Sequence, residues 1–253
     1  MSHARGFRLE RGGVTSTYMQ PVGTVVAFGT APTNEVSRLD ATALACDILG
    51  FGEDLFTRIK RAEGGSLLLL LAEAADDPAL AAAAKASRIL QLRGGGEAVL
   101  VLPAIPALPG SQARGKLQRA AQSTGACVVQ PVAGASWADA VRCFVEPLAV
   151  FGLIGVDPRE IHGLLSARSA LLHRWQDASL DLSLQDAGEV LVSCRLRPSA
   201  TLRQIDAAAQ RVRSATGARL VLAGPEVNDG PSGLAAVFLD PAPGRSAEAG
   251  SRT

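Results

Sequence analysis

Short apolar runs alternate with helix-period stretches through the first half of this chain, and that alternation limits the fold more than any single motif. Val22 to Phe28 is the first run, ending at Gly29 and followed by Pro32 and a mixed segment to Leu49 that reads as turn and helix. Leu67 to Leu71 is a second buried strand. Pro78 then opens an alanine-rich helix over 79–92, closed by Gly94-Gly95-Gly96, with proline in the first turn and glycine past the end as helices prefer. Val99 to Leu102 follows as a third strand, Gln112 to Ser123 as a helix and Ala126 to Val132 as a fourth strand. Runs this short and this apolar suit strands covered on both faces, so the pattern predicts a parallel sheet with helices on either side.

The second half reads differently. Over 138–151, Val141, Phe144, Val145, Leu148 and Phe151 fall at helical spacing and give one apolar stripe, which predicts a buried central helix. A shorter helix is expected over 158–166, begun by Pro158. Val190, Val192, Cys194 and Leu196 alternate with Ser193 and Arg195, the period of a half-buried strand. Thr201 and Gln204 form a capping-box pattern ahead of a helix whose apolar face is Leu202, Ile205, Ala208, Val212 and Ala215, ended by Gly217. Arg219 to Ala223 and Leu234 to Leu239 complete a strand, helix, strand, loop, strand module. We therefore expect an α/β domain over 22–135, a central helix and loop over 136–157, and an α+β domain over 158–240, with tails at 1–21 and 241–253.

Composition excludes several classes. With 253 residues, 47% of them hydrophobic, the chain can bury a full core, and a formal net charge of +1 argues against a general nucleic-acid surface. Cys46, Cys127, Cys143 and Cys194 are scattered with no close pair, which fits a reducing cytoplasm and neither a disulfide framework nor a zinc knuckle. The longest apolar run, Leu67 to Ala72, is far below the roughly 20 residues that a membrane span requires. Arg5, Arg8 and Arg11, with Phe7 and Leu9 between them, give a basic amino-terminal segment that offers at most a weak membrane or partner contact and otherwise reads as a fraying end.

From Glu146 to Asp240 the chain resembles the carboxyl-terminal half of the tubulin/FtsZ family. That family leads from a core helix through a Gly-Leu-Ile-Asn-x-Asp-x-x-Asp loop into the next helix; here the run is Gly152-Leu153-Ile154-Gly155-Val156-Asp157-Pro158-Arg159-Glu160. A strand of the type Gly-Val-Leu-Val is matched by Gly188-Glu189-Val190-Leu191-Val192. A helix beginning Leu-Thr-Leu-x-Glu-Val-x-x-Ala is matched by Ala200-Thr201-Leu202-Arg203-Gln204-Ile205-Asp206-Ala207-Ala208. The implied fold is a tubulin/FtsZ-like parallel sheet with flanking helices, a central helix and a smaller α+β domain.

The departures from the family pattern matter as much. Its members hold GTP phosphates with a Gly-Gly-Gly-Thr-Gly-Thr-Gly loop, because a polyphosphate needs bare backbone N–H groups in a turn that glycine permits. Aligned there, this chain has Ile105-Pro106-Ala107-Leu108-Pro109-Gly110-Ser111, and each proline removes a donor. The first glycine-rich turn is reduced to Gly29-Thr30-Ala31-Pro32-Thr33-Asn34. Gly94 to Gly96 precedes a strand, whereas a phosphate loop follows one. Between Val132 and Trp137 there is no room for the strand that family members insert before the central helix.

The expected sites follow from this comparison. Asp139 stands near the family's guanine-contacting position and Trp137 could offer a stacking face; equally, Asp139 suits the positive end of a helix dipole and Trp137 suits packing. The loop acids of the family reach the nucleotide of the next subunit, which makes Gly155, Asp157, Arg159 and Glu160 the expected interface. Capping of the helix begun by Pro158 also accounts for Asp157 and Glu160. His3, His162 and His173 show neither metal spacing nor a triad partner, and Asp76-Asp77 sit where a helix cap is expected. The resemblance thus implies a scaffold or regulator without GTPase activity, cofactor or metal. Its expected partners are further copies of itself or an FtsZ-like protein, in bacterial cell division or cytoskeletal organisation. The alternative is a ligand-binding protein or enzyme on an α/β fold with residual nucleotide recognition.

Overall fold

The computed structural model describes residues 23–39, 46–50, 56–57, 66–92, 96–132, 134–149, 167–175, 189–196, 219–227 and 233–239, with single positions at 165 and within 201–214. Strands β1 (Gly23–Phe28), β3 (Ser66–Ala72), β4 (Gly96–Val101) and β5 (Cys127–Pro131) form at the apolar runs. Helices α1 (Thr30–Val36), α2 (Asp77–Leu92), α3 (Ser111–Thr124) and α4 (Trp137–Ala149) lie between and after them. Two strands were not expected. β2 (Cys46–Gly50) forms where the sequence pattern suggested a continued helix, and β6 (Ser169–Trp175) follows the segment expected to be helical over 158–166.

Among the described residues the sheet order is β2-β1-β3-β4-β5-β6-β9-β7-β8, with β7 at Glu189–Leu196, β8 at Arg219–Val227 and β9 at Gly233–Leu239. Every pairing from β2 to β6 is parallel. β9 runs antiparallel to both β6 and β7, and β7 pairs parallel with β8. β9 therefore joins the strands of the second half to the parallel sheet by one continuous ladder. In the expected helix after Thr201, Arg203, Asp206, Gln210 and Ser214 are helical and exposed, spaced as one polar face.

Strand side chains alternate between two cores. Val25, Leu67, Leu69, Leu71, Val99, Val101, Cys127 and Val129 pack with Val36 of α1 and with Ala140, Val141, Phe144 and Val145 of α4. Val26, Leu68, Leu70, Leu100 and Val128 pack instead with Ala79, Ala83, Ala86 and Leu90 of α2 and with Leu117 and Ala121 of α3. The period of two in the strands thus assigns α1 and α4 to one face of the sheet and α2 and α3 to the other. Phe144 is fully buried, which fixes α4 as a core helix.

Candidate functional site

β1 and β3 are neighbours, yet the helix that follows β1 crosses one face of the sheet and the helix that follows β3 crosses the other. Such a reversal leaves a crevice at the carboxyl ends of the two strands, the usual ligand position in open α/β sheets. A cleft of about 750 Å³ opens there, lined by Ala27, Phe28, Gly29, Thr33, Ala72, Glu73, Ala74, Asp76, Pro78 and Ala79. Its walls are mostly apolar and its charged lining, among the described residues, is carboxylate.

The register explains how Glu73 enters. Phe28 pairs with Ala72, and the Glu73 N–H donates to the Phe28 carbonyl at 3.1 Å, so the ladder continues one step beyond the strands. Glu73 is thereby set beside Gly29, whose φ of 104° is a conformation glycine adopts without strain. A Cβ on Gly29 would collide with the Glu73 side chain. The Thr30 N–H, first in α1, donates to Glu73 Oε2 at 3.1 Å. At α2 the Ala79 N–H donates to Asp76 Oδ1 at 3.0 Å, so Asp76 is the cap that the sequence suggested.

At both helix starts facing the crevice, one amide is already taken by a carboxylate of the chain and one position is proline. At α1, Glu73 takes the Thr30 amide and Pro32, three residues into the helix, has no N–H. At α2, Asp76 takes the Ala79 amide and Pro78 is the second helical residue. Free amides and a positive dipole end are what a phosphate needs, and here a carboxylate of the chain itself occupies one amide at each start.

Strand order puts β3 beside β1, so the loop sharing the crevice with Gly29 is Glu73–Asp76, while Ile105–Ser111, the run that the resemblance aligns with the family's phosphate loop, follows β4, one strand farther on. Ile105 there forms a parallel bridge with Val132, and Gly110 caps α3 without a side-chain hydrogen bond.

Asp139 and Trp137 lie together in the first turn of α4, and neither lines the cleft. The Ser136 N–H and hydroxyl donate to Asp139 Oδ2 at 3.1 and 3.0 Å, and the Asp139 N–H donates back to Ser136 Oγ at 3.3 Å. This is a reciprocal capping box, and the spacing Ser136-x-x-Asp139 was its readable signal. Arg174 Nη1 of β6 approaches Asp139 Oδ2 at 3.7 Å, while Glu35 Oε1 accepts from the Ala138 N–H at 2.7 Å. Glu35 was not anticipated; it ties the end of α1 to the start of the central helix. Trp137 packs against the α1 and α4 core, its indole N–H buried with no acceptor among the described residues. The expected interface residues Gly155, Asp157, Arg159 and Glu160 lie outside the described residues.

Burial perturbs two further groups. Glu97, at the start of β4, has its pKa raised from 4.5 to about 7 by desolvation. His173, on β6, is lowered from 6.5 to about 4 by desolvation and then by the Arg114 charge. Among the described residues there is no group of three or more potential metal ligands, and no helix is long and apolar enough to cross a membrane.

No family model and no curated protein matches this chain. Solved structures are similar to it at low identity, two of them CetZ proteins. CetZ from Methanosaeta thermophila strain DSM 6194 is 12% identical with a TM-score of 0.45, covering 83% of this chain and 78% of its own. CetZ1 from Haloferax volcanii, solved as a GDP-bound monomer, is 14% identical with a TM-score of 0.49, covering 88% of this chain and 94% of its own. CetZ belongs to the tubulin/FtsZ family.

Proposed function

We propose that this chain is a tubulin/FtsZ-like protein that does not hydrolyse GTP and acts through protein contacts, associating with itself or with an FtsZ-like filament. The single observation that carries this reading is the Glu73 carboxylate on the Thr30 amide at the β1/β3 crevice. A triphosphate brought there meets two carboxylates, no lysine or arginine among the described lining residues, and helix starts at each of which one amide is already bound by a carboxylate. The family resemblance of the run from Glu146 to Asp240 supplies the expectation of assembly, with Gly155, Asp157, Arg159 and Glu160 as its contact and cell division or cytoskeletal organisation as its setting.

Sedimentation and electron microscopy of the pure protein, with and without GTP and with and without an FtsZ-like partner, test it. Assembly or co-sedimentation that ignores GTP is the expected outcome. Stoichiometric guanine nucleotide on the purified protein, or assembly that requires GTP, would overturn it.

The apolar walls of the cleft favour a second reading, a small-molecule binder or enzyme, since its volume lies in the range of ligand pockets. A saturable thermal shift with a nucleoside or metabolite, without assembly, would favour that reading.

A further inference from the structure

Among its described lining residues, the cleft combines two carboxylates with apolar walls. Glu73 and Asp76 each bind a backbone N–H through one oxygen, Oε2 and Oδ1, which fixes the two carboxylates in place. Their other oxygens have no partner among the described residues. Ala27, Phe28, Ala72, Pro78 and Ala79 supply the apolar walls. A guanidinium matches this combination, because it is planar, always charged and weakly hydrated, and its methylenes lie well on apolar surface.

We propose that the cleft is the docking site of the chain's own amino-terminal segment, with a guanidinium from Arg5, Arg8 or Arg11 set between Glu73 and Asp76. Charge and reach both select this occupant. The segment puts three arginines and one acid, Glu10, into residues 3–11, interleaved with Phe7 and Leu9, against a cleft whose charged lining, among the described residues, is carboxylate. It lies upstream of β1, the strand whose far end lines the cleft. β1 is about 20 Å long at ~3.3 Å per residue. Arg11 precedes it by twelve residues, enough to span roughly 40 Å when extended. A tethered segment also arrives at an effective concentration on the order of millimolar. This inference rests on the reading that the crevice holds no nucleotide, and it assigns the crevice a different occupant.

Limited trypsin digestion of the full chain at low salt, followed by mass spectrometry, tests it at three cleavable bonds. Docking predicts that at least one of Arg5, Arg8 and Arg11 is cut about tenfold more slowly in the wild type than in Glu73→Gln/Asp76→Asn, and that salt removes the difference. Both substitutions keep a hydrogen-bond acceptor, so they change charge and spare the helix starts. Equal cutting rates overturn the proposal. Protection that grows with protein concentration also overturns it, since the occupant would then be a second copy.

Hydrogen exchange provides a measurement independent of those variants. In Arg5→Gln/Arg8→Gln/Arg11→Gln, amides over 29–33 and 73–79 should exchange faster than in the wild type; unchanged exchange overturns docking. Absence of GTP binding together with equal trypsin rates would sink this inference alone and leave the proposed function standing.

Discussion

Glu73 Oε2 lies 3.1 Å from the Thr30 amide nitrogen across 43 residues of sequence, where the ends of β1 and β3 meet. Gly29 stands between them with φ 104° and ψ 174°, a region that residues with a Cβ avoid. Gly29→Ala should therefore cost about 1–3 kcal/mol from backbone strain. It also sets the new Cβ against Glu73. Urea unfolding of Gly29→Ala, Glu73→Ala and the double variant separates the two effects: the double variant should lose less than the sum. Additive losses would show that the Glu73 side chain swings away freely.

The capping box at α4 gives a second expectation. Ser136→Ala removes the oxygen that accepts from the Asp139 N–H and the hydroxyl that donates to its carboxylate. A loss of about 1 kcal/mol is expected, with no change in urea slope. Asp139→Ala should cost more than Ser136→Ala, because Arg174 also loses its ion-pair partner. Equal costs would mean that the Arg174 contact adds nothing.

Phe144 is fully buried between α4 and the sheet, so Phe144→Ala should lower stability by about 3–5 kcal/mol. Calorimetry or urea unfolding reads this directly. A loss under about 1 kcal/mol would place α4 outside the core.

Glu97 and His173 predict opposing pH dependences. Glu97 keeps its proton in the folded chain up to about pH 7 but loses it near 4.5 when unfolded, so its contribution falls as pH rises through that window. His173 is neutral down to about pH 4 when folded but takes a proton near 6.5 when unfolded, so its contribution rises over that window and is lost as pH falls through it. Between about 4.5 and 6.5 the two slopes oppose each other. Glu97→Gln should therefore leave stability rising with pH over 4 to 6.5, and His173→Gln should leave it falling over 4.5 to 7. Urea midpoints measured from pH 4 to 8 check both signs; parallel profiles for the two variants would refute the assignment.

Strands β1, β3, β4 and β5 were legible because each has buried residues on both faces and reads as an uninterrupted apolar run, as Leu67–Leu71 does. β2 and β6 were not, for a related reason. β2 is five residues long and carries Asp47, and β6 ends in His173, Arg174 and Trp175, so neither shows a clean run or a clean alternation. Local pattern identifies an element, whereas strand order depends on contacts distant in sequence. That is why the sequence alone did not show Glu73–Asp76 as the loop beside Gly29. Asp76 as a cap was readable from its place before Pro78, and Ser136 could have been read the same way. Glu73 and Glu35 had no such signal, because their partners lie 43 and 103 residues away.

On the proposed reading, the acid that this chain stations on its own Thr30 amide leaves the crevice nothing to exchange. The timing of any assembly would then be set elsewhere, by how much of the protein is made or by who else is present.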